Sequence, residues 1–439
     1  MRKGVIIGLL ALLGILGACT HLADPRLLAV APVEVRFPSV EYIDGIYRMK
    51  GAGVSHIAIM FPGGTIFDDE GKEGTLKLLS ASMISGGIEH LGPEKTEQIL
   101  DDLSIDISIS PEREYTLVRA AFLEEDAQQA CQLLLGILKR PSLDNGRIEL
   151  QRSILTDGVV RQQQQAMTVA FDVFREHYYR GDPRSHKATP ETLRSITRQD
   201  LVRAHQKIFT HRPLIGVIGN VDKQLLDELY QSFGSQRTSV QAGMPADPEF
   251  GSFETSAVEK QCVLVMAHAA PTIEHEMHAA SVIANHIIGA GGFSSRLVKE
   301  VRTKMGLAYS SGSFYQARPI WAIFGIYVVT EPENAQAVRK AVDEVLQGIH
   351  QEITVEEMQW ARQAVMNSYA AQYTNPSVIL ERFLEMDYYE IDADYDRRFL
   401  AQLSKVSLLD VQAAAENLIA GPWVEVLVNS NHSIDQTGE

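Results

Sequence analysis

The sequence predicts an α+β fold: two homologous α/β sandwich domains, each a mainly antiparallel sheet with helices on one face. Three observations predict it. One unit occurs twice. Ser195-Ile196-Thr197-Arg198-Gln199-Asp200-Leu201 leads through a helical run into the apolar stretch Leu214 to Asn220, and Val406-Ser407-Leu408-Leu409-Asp410-Val411 leads likewise into Val424 to Ser430. Asp200 and Asp410 set the offset at 210 residues (410 − 200), far longer than a solenoid period, so a whole domain is duplicated. Within each copy, strands and helices are grouped rather than strictly alternating. Between the copies, residues 234–250 are rich in Ser, Gly, Gln and Pro with no apolar period, which reads as a linker.

In chain order, residues 1–18 read as an export signal. Arg2 and Lys3 open it, and Val5 to Leu16 form an apolar run too short to span a bilayer. Leu16-Gly17-Ala18-Cys19 resembles a bacterial lipobox, in which the Cys19 thiol is lipidated and holds the mature chain on a membrane surface. Residues 19–34 then form a tether. The expected location is the bacterial cell envelope, and Thr20 leans towards the periplasmic face of the outer membrane if the cell is Gram-negative. The N-terminal domain is placed at 35–233 and the C-terminal domain at 251–432. Ser55 to Phe61 and Cys262 to Ala267 read as strands. Ala127 to Lys139, Arg147 to Tyr179 (more than one helix) and Val355 to Tyr373 have helical period. Thr354 and Glu357 form a capping box before the last of these. The 210-residue offset also sets a helix around Leu76 to Ile84 opposite Ala279 to Ile288.

Composition suits two cores behind a membrane anchor: 439 residues, 45% of them hydrophobic and 22% charged. A net charge of −16 argues against a nucleic-acid partner. Beyond Cys19, the scattered Cys131 and Cys262 make neither a disulfide framework nor a metal cluster, and a single bridge between them stays open at this level.

The most informative stretch is Gly291-Gly292-Phe293-Ser294-Ser295-Arg296-Leu297, running on through Arg302 to Gly306-Leu307-Ala308-Tyr309. A glycine turn leads into a short amphipathic helix, with Leu297 and Val301 on one side and Lys299, Glu300 and Lys304 on the other. An extended run carrying Tyr309 follows. Across that helix-to-strand turn, a guanidinium and a phenol form a pair of donors suited to a carbonyl or an oxyanion. On spacing alone, a surface arginine and a half-buried core tyrosine account for the pattern as well.

This stretch closely resembles the C-terminal half of the insulinase/pitrilysin family of inverted-motif zinc peptidases, and the resemblance extends from about Val35 to Val428. It implies two α/β domains facing a chamber, with Arg302 and Tyr309 binding substrate and transition state across from a zinc site. It further implies that Gly291, Gly292, Phe293 and Ser294 lie along the bound peptide. The family's zinc motif is His-x-x-Glu-His on a helix, with a third Glu ligand downstream. In the matching helix, Gly74 to Met83, Lys77 stands at the first His, Ser80 at the Glu and Ala81 at the second His. Gly158 falls at the third ligand, with Asp157 one residue off. An ammonium and a methyl have no lone pair for Zn²⁺, so no cofactor is expected in this chain. His275-Glu276-Met277-His278, the one close histidine pair, reads as a solvated helix start.

A chain with the Arg/Tyr half and no zinc half resembles the non-zinc-binding subunit of a heterodimeric envelope metallopeptidase. The implied partner is a homologous subunit that bears the motif and the zinc, and the implied substrate is a peptide or unfolded polypeptide. The alternative is a catalytically inert lipoprotein scaffold or peptide-binding protein of the same fold. A self-sufficient hydrolase ranks below both, because no Gly-x-Ser-x-Gly elbow, phosphate loop or Cys/His nucleophile pair stands out.

Overall fold

The computed structural model describes residues 35–430 apart from 36, 52, 236–242 and 245–246. The expected signal, Cys19, the tether, part of the linker and residues 431–432 lie outside the described residues.

Among the described residues, eleven strands make two sheets. The first holds β1 (Glu41–Ile43), β2 (Ile46–Met49), β3 (Val54–Pro62), β4 (Asp106–Pro111), β5 (Tyr115–Leu123) and β6 (Leu214–Ile218), in the order β1-β2-β6-β3-β5-β4. The second holds β7 (Gly251–Ala257), β8 (Cys262–Ala269), β9 (Ser310–Ala317), β10 (Ala322–Thr330) and β11 (Val424–Ser430), in the order β7-β11-β8-β10-β9. Only β2/β6 and β7/β11 pair in parallel; the other neighbours are antiparallel. The two sheets therefore repeat one plan, and β1 is an extra edge strand on the first.

The first half carries α1 (Thr75–Gly86), α2 (Gly92–Asp102), α3 (Ala127–Lys139), α4 (Asn145–Gln163), α5 (Ala166–Tyr178), α6 (Pro190–Ser195), α7 (Arg198–Ile208) and α8 (Lys223–Gln231). The second carries α9 (His278–Asn285), α10 (Ala335–Glu352), α11 (Val355–Gln372), α12 (Pro376–Tyr388), α13 (Tyr395–Leu403) and α14 (Leu408–Ile419). The helical period of α3 is carried by Ala130, Leu134, Ile137 and Leu138, all buried. Helices α7 and α14 start with the same device. Thr197 and Ser407 each accept an N–H at 3.2 Å from the aspartate three residues on, and that aspartate accepts the cap residue's own N–H at 2.7 and 2.8 Å. The two aspartates that set the repeat are thus equivalent capping residues.

Each sheet packs its own helices on one face. Ile57, Ile59 and Phe61 of β3 meet Leu76, Leu79 and Met83 of α1 and Leu134 of α3. In the second half, Leu264, Phe324 and Ile326 meet Ile283, Val342 and Leu418. Each such side chain, fully buried, contributes roughly 1.5–3 kcal/mol.

The opposite faces are covered by an exchange of helices. From the first half, α5 lays Ala166, Ala170, Phe174 and Tyr178 on Val263, Val265, Val424 and Val426 of the second sheet. In return, α12 lays Ile379, Leu380, Leu384 and Tyr388 on Ala58, Met60, Leu214 and Ile218 of the first. Glycine makes the approach of α12 possible, since a Cβ on Gly216 would sit 2.5 Å from Leu380 Cδ1. Polar ties reinforce it: Arg119 donates to both oxygens of Glu381 at 2.6 and 2.9 Å, and Tyr388 donates to the Glu114 carbonyl at 2.9 Å. The two halves are interlocked.

Candidate functional site

Helix α1 keeps its scaffold. Gly74 enters it at φ 99°, a conformation that favours glycine. Asp68 caps the turn by accepting N–H bonds from Gly74 at 2.8 Å and Leu76 at 2.9 Å. Burial outweighs those two bonds and raises the Asp68 carboxyl to about 6, with Glu73 adding to the effect. Lys77 is exposed and lines a cavity of about 290 Å³ together with Asp68, Glu73, Arg113 and Asp172. Ser80 is buried, its Oγ without a hydrogen-bond partner, and Ala81 is half-buried beside it. A Cβ on Gly158, in α4, would meet nothing within 4 Å. These residues do not fit a zinc ion. One amine, one hydroxyl turned into the core, a methyl and a missing side chain offer no ligand set.

The histidine pair departs from the expected solvated start. His278 is 7% exposed, its Nδ1 lies 2.9 Å from the Tyr315 hydroxyl, and burial lowers its imidazole to about 4, so it is a neutral core group. Among the described residues, no group of three or more His, Cys, Asp or Glu converges as a metal site. Cys131 and Cys262 are free, buried in separate cores, and burial raises both thiols to about 11.

The Gly291–Tyr309 stretch is built from irregular helix. Helix α9 runs into a π-helical turn at His286–Ala290, a 3₁₀ turn follows at Gly292–Ser294, and a second π turn spans Val298–Lys304. The expected amphipathic helix is therefore present in its faces but wider in its winding. π turns are frequent at functional sites because they re-aim side chains. Gly292 needs its glycine for φ 58°, and the Ser294 hydroxyl closes the turn on the Gly291 carbonyl at 2.8 Å. Leu297 and Val301 are fully buried and anchor the segment. Arg296 is committed to structure, donating to both Glu357 oxygens at 2.8 Å.

That anchoring leaves Phe293, Arg302 and Tyr309 on the surface, together with Ser294, Lys299, Thr303, Lys304 and Met305. Phe293 is 73% exposed, and the Arg302 guanidinium sits 5.0 Å from its ring centre. Tyr309 is 53% exposed, its N–H pairs with the Val329 carbonyl at 2.9 Å, and its hydroxyl donates to Glu331 at 2.6 Å. The bond to Glu331 raises the phenol above its ordinary value, so it stays a donor at neutral pH. Arg302 and Tyr309 thus lie on one surface segment with different partners; among the described residues no hydrogen bond or ring contact joins them. Beside the turn, a groove of about 380 Å³ runs along Ser294, Lys299 and the half-exposed Trp360. Sequence reading missed Trp360; its only signal was a tryptophan on an otherwise polar helix face.

Residues 195–365 match the family described as the Peptidase M16 inactive domain. A Helicobacter pylori protein named "Non-peptidase homolog YmxG" is 23% identical over 375 residues, covering 82% of this chain and 84% of that one. The family match is thus confined to residues 195–365, while the likeness to the Helicobacter pylori protein runs along most of both chains. The mitochondrial-processing peptidase subunit beta of Pongo abelii is 22% identical over 351 residues, covering 76% of this chain and 71% of that subunit. The crystal structure of a peptidase M16 inactive domain from Pseudomonas fluorescens superposes with a TM-score of 0.79 at 19% identity, covering 91% of this chain and 98% of that one. That likeness shows the fold, two mixed sheets and their helices. No described helix is long and apolar enough to cross a membrane.

Proposed function

We propose that this chain is the zinc-less subunit of a heterodimeric envelope metallopeptidase, and that Arg302 and Tyr309 act in trans at the metal site of a homologous, motif-bearing partner. One observation carries the reading. The fold stands without a ligand set at Lys77, Ser80, Ala81 and Gly158, while Phe293, Arg302 and Tyr309 stand exposed, together with Lys299, Thr303, Lys304 and Met305, on a segment anchored by the buried Ser295, Leu297, Val298 and Val301. Large exposed side chains held on a rigid base are what a shared site requires of the subunit that reaches across. Gly291, Gly292, Phe293 and Ser294 lie along the bound polypeptide. Arg302 donates to the peptide carbonyl. Tyr309 exchanges Glu331 for the oxyanion, a protonated phenol being the form that can donate. Cys19, lipidated, tethers the subunit to the envelope membrane, on the outer membrane's periplasmic face in a Gram-negative cell. The processing-peptidase relative is itself named a subunit, which supports a reading of pairing.

The experiment is turnover by the reconstituted complex. Tyr309→Phe is expected to lower kcat by about 10²-fold, as loss of an oxyanion donor does, with complex formation unchanged. Undiminished turnover sinks the role. The name "Non-peptidase homolog" given to the Helicobacter pylori relative, and the tie of Tyr309 to Glu331, favour the second reading of an inert scaffold or peptide-binding lipoprotein. That reading expects neither Tyr309→Phe nor Arg302→Gln to alter any partner's activity.

A further inference from the structure

A cavity of about 870 Å³ lies between the halves, bounded by α5 of the first and by β9 and β10 of the second. One side is apolar: Phe171 and Phe174 of α5 face Phe314 and Ile323, with the Phe171 and Phe314 ring centres 5.8 Å apart. The other side is cationic. Arg184 is 3% exposed; its Nε and Nη2 grip Asp182 at 2.8 and 2.7 Å, while Nη1 is buried without an acceptor. Arg318 reaches Glu385 through Nη2 at 2.8 Å and leaves Nε buried without an acceptor. Arg113 donates to the Arg184 carbonyl at 2.7 Å and forms no ion pair among the described residues. Two carboxylates line the cavity with these cations: Glu112 is exposed, whereas Glu114 is 4% exposed and its Oε2 also lacks a partner. Burial raises the Glu114 carboxyl, against the opposing pull of Tyr389, Arg184 and Arg318. Arg184 Nη1 and Arg318 Nε are thus two buried guanidinium donors without acceptors.

We infer that this cavity binds a ligand with an aromatic or large aliphatic body and a single carboxylate, the carboxylate docking against Arg113, Arg184 and Arg318. The volume suits a ligand of that size, and guanidinium-to-carboxylate bonds in a largely apolar cavity fix its orientation. Two sources share this chemistry, the C-terminus of a peptide ending in a large apolar residue and a free arylalkanoic acid. The inference is independent of the zinc-less-subunit reading, since none of these residues belongs to the Gly291–Tyr309 segment.

The test is calorimetric titration of the full chain with N-acetyl-Ala-Phe, with 3-phenylpropionate and with the carboxamide of each. One acid is expected to bind per chain, with its amide at least about tenfold weaker because the charge-assisted bonds are lost. Arg113→Gln, at an exposed position, is expected to weaken the acid by about tenfold, with the amide unchanged and the melting temperature retained. Tighter binding of the dipeptide identifies a peptide terminus, and tighter binding of 3-phenylpropionate a free acid. The inference is overturned if no acid saturates, if the amides bind as well, or if Arg113→Gln leaves acid binding unchanged.

Discussion

Replacing Leu384 with alanine tests the helix exchange from the side where its effect is least expected. Leu384 belongs to the second half in sequence, yet its side chain is fully buried against the first sheet, among Met60, Leu214 and Ile218. Truncating a buried leucine costs about 2–5 kcal/mol, the spread reflecting how far the site collapses around the cavity. With Gly216 and Leu380 already in tight contact, α12 has little freedom to settle, so about 3 kcal/mol is the expected loss. At about 1.4 kcal/mol per decade, that makes opening of the first sheet roughly 10²-fold more frequent. Native-state hydrogen exchange reads this directly. Amides of Ile57 to Met60 in β3, more than three hundred residues away in sequence, are expected to exchange about 10²-fold faster in Leu384→Ala. Phe174→Ala should do the same in reverse to Val263 and Val265. If Leu384→Ala speeds exchange only in the second half and leaves β3 protected, the halves are independent and the exchange reasoning fails.

Other outcomes follow from the same geometry. The Asp68 carboxyl rises from 3.8 to about 6 on folding, so its contribution to stability is full below pH 3.8 and lost as pH rises through about 6, up to about 3 kcal/mol. Urea melts at pH 4 and pH 7 should therefore show wild type losing ground to Asp68→Asn over that interval; parallel curves would contradict it. Removing the α14 cap with Asp410→Ala should cost about 1 kcal/mol, read as a shift in the urea midpoint with the slope unchanged, and Asp200→Ala on α7 should cost at least as much because Lys72 and Arg203 also pair with Asp200.

Much of the fold could be read from local pattern. The buried period of α3 and the Thr354–Glu357 cap of α11 are short-range signals, and α3 spans Ala127–Lys139 as its period indicates. The exchange of α5 and α12 was not readable in this way. An apolar stripe on a helix states that it is covered, not by which sheet, and the small residues Ala166, Ala170 and Gly216 that permit close approach look like ordinary helix and strand residues until the partner is known. At the candidate site, that Lys77, Ser80, Ala81 and Gly158 offer no zinc-ligand set was legible because ligand chemistry is written in residue identity. The neutral burial of His278 was not, because its partner Tyr315 lies on a distant strand. The π turns around Gly291 were hidden for a related reason: the faces of a π segment resemble those of an α-helix over so few residues.

The central claim is that this chain supplies half a site and no metal. It is tested most directly by zinc content and peptidase activity of the chain alone, then mixed with a zinc-bearing relative from the same cell. The expected result is no bound zinc and no activity alone, with activity on mixing that falls when Arg302 or Tyr309 is replaced. Stoichiometric zinc in the chain alone, or activity of the mixture indifferent to both replacements, would contradict it.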